Sequence, residues 1–207
     1  KRLYEVMKLD PVPIMGMELL DVLYGSKYKL NLEKVPKELD ALTNQILEEY
    51  EEKPKKAHRP RILITGCPIG GDSKKVVKAI EDNGGVVVAF ENCTGAKVID
   101  KLVDENNPDV YDAIAKKYFY IGCAIMTPND NRIELLGRMI DEFKVDGVVE
   151  MILSGCHSVQ MESISVRNFV NEEKHIPYLD IVTDYSQGDI GQLNTRMAAF
   201  IEMLRMK

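Results

Sequence analysis

The spacing of apolar residues changes character at residue 61. Before it, only helical spacing occurs; after it, short continuous apolar runs alternate with helix-like segments. "RLYEVMKLD" predicts a short amphipathic helix, stopped by Pro11 and Pro13, which lack the N–H a helix needs. "GMELLDVLYGS" predicts a second, ending near Gly25. Pro36 suits the first turn of a third, "PKELDALTNQILEEYEE", with Leu39, Leu42, Ile46 and Leu47 on one face. "KPKKAHRP", residues 53–60, reads as a basic, proline-bounded linker, and the charge run "EEYEEKPKK" as a solvated helix end.

From Arg61 the runs "RILIT", "VVVAFE", "VDGVVEMIL" and "IPYLDIV" predict strands. Between them lie predicted helices: "SKKVVKAIEDNGG", "GAKVIDKLVDE", "DVYDAIAKKY", "NDNRIELLGRMIDEFK" with an Asn/Asp cap, and "SVQMESISVRNFVNEEK". "GDIGQLNTRMAAFIEMLRMK" closes the chain as a long helix whose Met-containing stripe reads as core or subunit packing. Strands that are apolar on both faces and alternate with helices pair in parallel and are covered on both sides. The fold expected is α/β: a Rossmann- or flavodoxin-like parallel sheet of about four strands with an amino-terminal helical segment. The division expected is 1–58 as helical lead-in and linker and 59–207 as the α/β domain.

Composition adds exclusions. With 207 residues, 45% of them hydrophobic, the chain can bury a sizeable core. A net charge of −6 is not the basic footprint of a nucleic-acid binder. No apolar run is long enough to span a bilayer, and no secretory signal opens the chain, so a cytoplasmic protein without membrane partners is expected. The opening "KRLYEVMK" lacks an initiating Met, which suggests a processed chain or part of a longer one.

Four cysteines then take on weight. Cys67 follows the first predicted strand, Cys93 the second and Cys156 the third, while Cys123 precedes a predicted helix start. All four are expected along the carboxyl edge of the sheet, where open α/β folds place ligands. Free cysteine is also a common core residue, so packing alone is the competing reading. Thiolates gathered there could hold zinc or an iron–sulfur cluster. The absence of C-x-x-C knuckles and the presence of Gly66, Gly70, Gly71 and Gly95 suit a bulky anionic cluster better, although strand-to-helix turns also use glycines. "GCPIGGDSKK" matches no nucleotide-binding fingerprint. His157 beside Cys156 raises a Cys/His hydrolase as a minor alternative; His58 and His175 read as surface residues. No catalytic residue can be singled out.

Five stretches, "RILITGCPIGG", "VVVAFENCTG", "GCAIMTPNDNR", "VDGVVEMILSGCH" and "IPYLDIVTDYSQGDIGQLNTRMAAFIEML", together resemble the carboxyl-terminal half of the 2-hydroxyacyl-CoA dehydratase / benzoyl-CoA reductase family. The resemblance covers nearly the whole chain and implies a longer protein with a preceding α/β domain. In ordinary dehydratase subunits it implies one [4Fe–4S] cluster on three cysteines, with Cys156 in the position of the third ligand. Cys67, Cys93 and Cys123 match the branch that carries a double-cubane [8Fe–9S] cluster. The six thiolates implied there would be these four and two from the preceding half, so the isolated chain is expected to lose the cluster in air. Many dehydratases have an acidic residue and a proline after the last cysteine; "CHSVQ" departs from that, which speaks against acyl-CoA dehydration. The resemblance thus implies an anaerobic iron–sulfur reductase, driven by a dehydratase-activator-type ATPase and reducing a small molecule. The alternatives are an ordinary dehydratase acting on an acyl-CoA and a non-enzymatic module with structural cysteines. A homodimer or a dimer with a related subunit is implied in either enzymatic case.

Overall fold

Two strands rich in β-branched residues run side by side through the middle of the molecule. They are β1 (Arg61–Gly66) and β3 (Gly147–Leu153). In the computed structural model, which describes residues 1–52 and 57–206, they join β2 (Val86–Phe90) and β4 (Tyr178–Thr183) in one sheet of order β2-β1-β3-β4. Every pairing is parallel. The first four residues of the linker read from the sequence, 53–56, lie outside the described residues.

The sheet order reverses direction between β1 and β3, so the crevice at their carboxyl ends is the topological switch point of the fold. Helices cover both faces because alternating side chains on β1 and β3 point both ways. On one face lie α4 (Lys75–Asp82) and α8 (Ile190–Arg205), which pack together; a side chain at Gly147 would collide with Phe200 of α8. Met197, Phe200, Ile201 and Leu204 of α8 are buried, so its methionine stripe serves the core. On the other face, α6 (Asp130–Glu142) and α7 (His157–Asn168) reach Thr65 and Glu150, which stand opposite each other in the register. A π-turn, Phe169–Glu173, extends α7.

Of the amino-terminal helices α1 (Arg2–Glu5), α2 (Gly16–Ser26) and α3 (Val35–Glu52), α2 lies against β2 and α4, α1 meets β2 through Tyr4, and α3 packs on α1. Leu3, Tyr4, Met7, Leu19 and Leu20 join the same core as the strands. Of the stripe on α3, Leu39, Ile46 and Leu47 are half-buried against that core, and Thr43 is the residue of this helix that is fully covered. Buried Arg61 ties this region down by donating to the carbonyls of Met7 (2.6 Å), Leu9 (3.1 Å) and Phe143 (2.8 Å).

One predicted helix is not formed. "GAKVIDKLVDE" gives a single 3₁₀ turn, Ala96–Val98, and then open loop up to α5 (Val110–Phe119). Two causes are visible. Lys97 turns inward to Glu91, 3.1 Å away, and the side chains of Asp104 and Asn107 each accept a backbone N–H two residues on, which favours turns over helix.

Candidate functional site at the carboxyl edge of the sheet

Gly66 ends β1 with φ +95°, a region that favours glycine, and its backbone lies so close to Met151 that a Cβ would sit 2.2 Å from that carbonyl. The turn delivers Cys67 to the switch point. Its N–H donates to the Met151 carbonyl at 2.7 Å, and its Sγ accepts the N–H of Leu153 at 3.3 Å. Cys67 is 2% exposed. Across the crevice, Gly155 (φ +83°) turns the end of β3 so that Cys156 caps α7, and its thiol interacts with that of Cys67. Burial, partly countered by the Leu153 N–H, pushes the Cys67 thiol up to about 11; the neighbouring Cys156 and Glu150 add to the rise. Without a cation beside it Cys67 is therefore a neutral thiol near pH 7.

Cys93 and Cys123 are half-buried and occupy flanking loops. The Cys93 loop is tied to the Cys67 loop. Asn92 Nδ2 donates to the Cys67 carbonyl at 2.9 Å, and Thr94 exchanges hydrogen bonds with the N–H (3.0 Å) and carbonyl (2.9 Å) of Ile69. Lys27 Nζ donates to the carbonyls of Cys93 (2.5 Å) and Thr94 (2.9 Å); its pKa is lowered by burial. The carbonyl of Cys123 accepts from Asn129 Nδ2 at 3.0 Å. Among the described residues, no three His, Cys, Asp or Glu side chains gather closely enough to hold a metal ion. Among the described residues the four cysteines thus do not make a closed tetrahedral centre. His157 is exposed at the start of α7, His175 is exposed, and His58 pairs with Asp10 at 3.2 Å on the surface.

At the Cys93 loop opens a cleft of about 520 Å³, lined among others by Tyr24, Lys27, Tyr28, Ile69, Cys93 and Tyr185. Behind Cys67 and Cys156 lies a buried ion cluster. Arg132, 1% exposed, donates through Nη2 to Thr65 Oγ1 (2.9 Å) and Glu150 Oε1 (2.8 Å) and through Nη1 to Glu162 Oε2. Its Nε lies 3.5 Å from Glu91 Oε2. Burial by itself would lower the Arg132 pKa; Glu91, Glu150 and Glu162 outweigh it and raise it. Glu150 is pushed up by burial, against which Arg132 and the Tyr178 hydroxyl (2.6 Å) act.

None of these buried charges stands out as a motif. The signal was Glu150 itself: a carboxylate inside "VVEMI", a strand apolar on both sides, demands a buried cation as partner.

The fold and its carboxyl edge define an open α/β domain with two thiols at the switch point, set on glycine turns. Soft sulfur donors with an N–H aimed at one of them fit a thiolate-held iron–sulfur cluster in chemistry. Sequence comparison places the chain more narrowly. It belongs to the family "2-hydroxyglutaryl-CoA dehydratase, D-component", whose profile matches residues 1–204. It is 50% identical over 201 residues to "Putative dehydratase subunit YjiM" of Escherichia coli (strain K12). That match takes in 97% of this chain and 52% of the relative, so the chain spans about half the length of the curated protein it matches. Among the described residues, no helix is long and apolar enough to cross a membrane.

Proposed function

We propose that this chain is the half of an iron–sulfur reductase of the dehydratase family that supplies four of its cluster thiolates. In this reading Cys67, Cys93, Cys123 and Cys156 supply thiolates to a double-cubane [8Fe–9S] cluster, completed by ligands from elsewhere in the longer protein. A dehydratase-activator-type ATPase delivers low-potential electrons, and a small molecule is reduced. The cluster would supply electron storage at low potential. The chain's own part is to exclude water around Cys67, to donate the Leu153 N–H to its sulfur, and to bound a cleft whose cation is Lys27.

The observation that carries this reading is that one residue joins the Cys67 and Cys156 segments at the switch point: the Leu153 N–H donates to Cys67 Sγ at 3.3 Å and its carbonyl accepts the Cys156 N–H at 2.9 Å. An ordinary dehydratase subunit needs Cys156 alone of the four, and gives no reason for a second thiol beside it. The second reading, a [4Fe–4S] subunit that dehydrates a 2-hydroxyacyl-CoA, is favoured by membership of the dehydratase family and by the likeness to a putative dehydratase subunit.

Iron and acid-labile sulfide in the anaerobically purified full-length protein separate the two. The reductase reading expects about eight irons per chain, with half or more lost on Cys93→Ala. About four irons, unchanged by that substitution, would establish the dehydratase reading, and no iron after anaerobic reconstitution would reject both.

A further inference from the structure

The buried ion cluster plays no part in the chemistry just proposed, yet its contacts map onto the cysteine-bearing segments one by one. Thr65, which accepts from Arg132 Nη2 at 2.9 Å, stands two residues before Cys67. Glu91, whose Oε2 faces Arg132 Nε at 3.5 Å, stands two residues before Cys93. Glu162, bound to Arg132 Nη1, lies on the helix that Cys156 caps. The other oxygen of Glu162 accepts from Asn129 Nδ2, and the same amide group donates to the Cys123 carbonyl at 3.0 Å. One guanidinium therefore touches the Cys67, Cys93 and Cys156 segments by one direct contact each, the one to Glu91 an ion pair, and reaches the Cys123 loop through three successive hydrogen bonds.

Ordinary packing does not account for this. A buried ion array loses more hydration than an apolar filling of the same volume. Around Gly147 the opposite face of the sheet is built the apolar way, with Phe200 and Leu204 of α8 against it. What an arginine adds is a planar fork whose donors fix several acceptors at set angles, which a lysine ammonium cannot do.

We propose that Arg132 is the positioning residue of the thiol site, fixing the spacing of the Cys67, Cys93, Cys123 and Cys156 loops through Thr65, Glu91, Glu162 and Asn129. The proposal deepens the cluster reading above, and its test is arranged so that either can fail alone. Arg61 is the matched control. It too is buried, at 2% exposure, but its guanidinium donates to the carbonyls of Met7, Leu9 and Phe143, away from every cysteine segment.

The experiment compares Arg132→Lys with Arg61→Lys in the full-length protein. The first readout needs no metal: the iodoacetamide alkylation rate of each cysteine in the reduced, metal-free protein, followed by peptide mass spectrometry. The second is iron bound after anaerobic reconstitution with iron and sulfide, with the spectrum of the reduced product. Arg132→Lys is expected to speed alkylation of Cys67 and Cys156 about tenfold and to lower bound iron at least about twofold. Arg61→Lys is expected to lower the melting temperature and to leave both readouts in place. Should Arg132→Lys fail to fold, Glu162→Gln, at a side chain 13% exposed, is expected to alter the Cys123 and Cys156 rates and spare Cys67. Four unchanged rates in a folded Arg132→Lys overturn the proposal, as does an equal change in Arg61→Lys or an unchanged Cys123 rate in Glu162→Gln. If the wild type binds no iron, the cluster reading falls and the alkylation rates still decide on Arg132.

Discussion

Replacing Tyr4 by phenylalanine removes one oxygen atom from the junction between the amino-terminal helices and the sheet. That oxygen closes an edge. β2 pairs with β1 on one side only, and on its outer side the Phe90 N–H donates to the Tyr4 hydroxyl while the hydroxyl donates to the Phe90 carbonyl at 2.7 Å. Burial pushes the Tyr4 pKa up, so it remains a donor across the accessible pH range. The ring stays in place after the substitution, held edge-on to Phe143 at 5.5 Å, so cavity formation contributes little. Two buried backbone groups lose their partner, at about 1–3 kcal/mol each when no water replaces it. A loss of about 3 kcal/mol is expected, which for a chain of this size lowers the melting temperature by about 6–12 °C. Urea unfolding should show a lower midpoint with an unchanged slope, because the surface exposed on unfolding is the same. A loss below about 1 kcal/mol would refute the argument that this hydroxyl completes the outer edge of β2.

Two further substitutions test other junctions. Gly66→Ala imposes a left-handed backbone on alanine and drives its Cβ into the Met151 carbonyl, and is expected to cost about 3 kcal/mol or more, whereas Gly71→Ala, at φ +52° with open space around the Cβ, should cost about 1 kcal/mol; equal costs in urea titrations would dismiss the clash. Asp189 is held below its usual 3.8 because its bonds to Lys75 (2.5 Å) and Thr183 (2.6 Å) outweigh burial, which acts upward. The stability it contributes is present above pH 3.8 and lost as the pH falls through the depressed folded-state value, so Asp189→Asn should be less stable by about 1 kcal/mol at neutral pH, with the gap closing below pH 3.8; a gap independent of pH would contradict this.

The strands were legible because each is a short apolar run ending in a turn residue, and strand ends of one sense in a parallel sheet must share an edge. That same logic located the cysteines on segments of the carboxyl edge. It could not say that Cys67 and Cys156 meet, since which strands are neighbours depends on sheet order, and the β2-β1-β3-β4 order is not written in any local pattern. Arg132 was hidden for a different reason. A charged residue in "NDNRIELLGRMIDEFK" reads as part of the solvent face, and its burial follows from three carboxylates that arrive from other elements. The misread helix after Cys93 shares that cause: its Lys97 is captured by Glu91 across a turn, and local propensity gives way.

The distance along the chain between Cys67 and the groups that complete its surroundings has a consequence for how the protein is made. Leu153, whose N–H meets the Cys67 sulfur, lies 86 positions downstream, and Arg132 lies 67 positions beyond Thr65. At about 5–20 residues per second on the ribosome, the Cys67 thiol waits about 4–17 s before Leu153 is even polymerised. During that interval β1 lacks its β3 neighbour, and no side chain from beyond residue 150 is present to shield it. A nascent chain of this kind depends on a reducing surrounding or a chaperone for its first seconds, and any metal that uses Cys67 and Cys156 together is installed after translation has passed both.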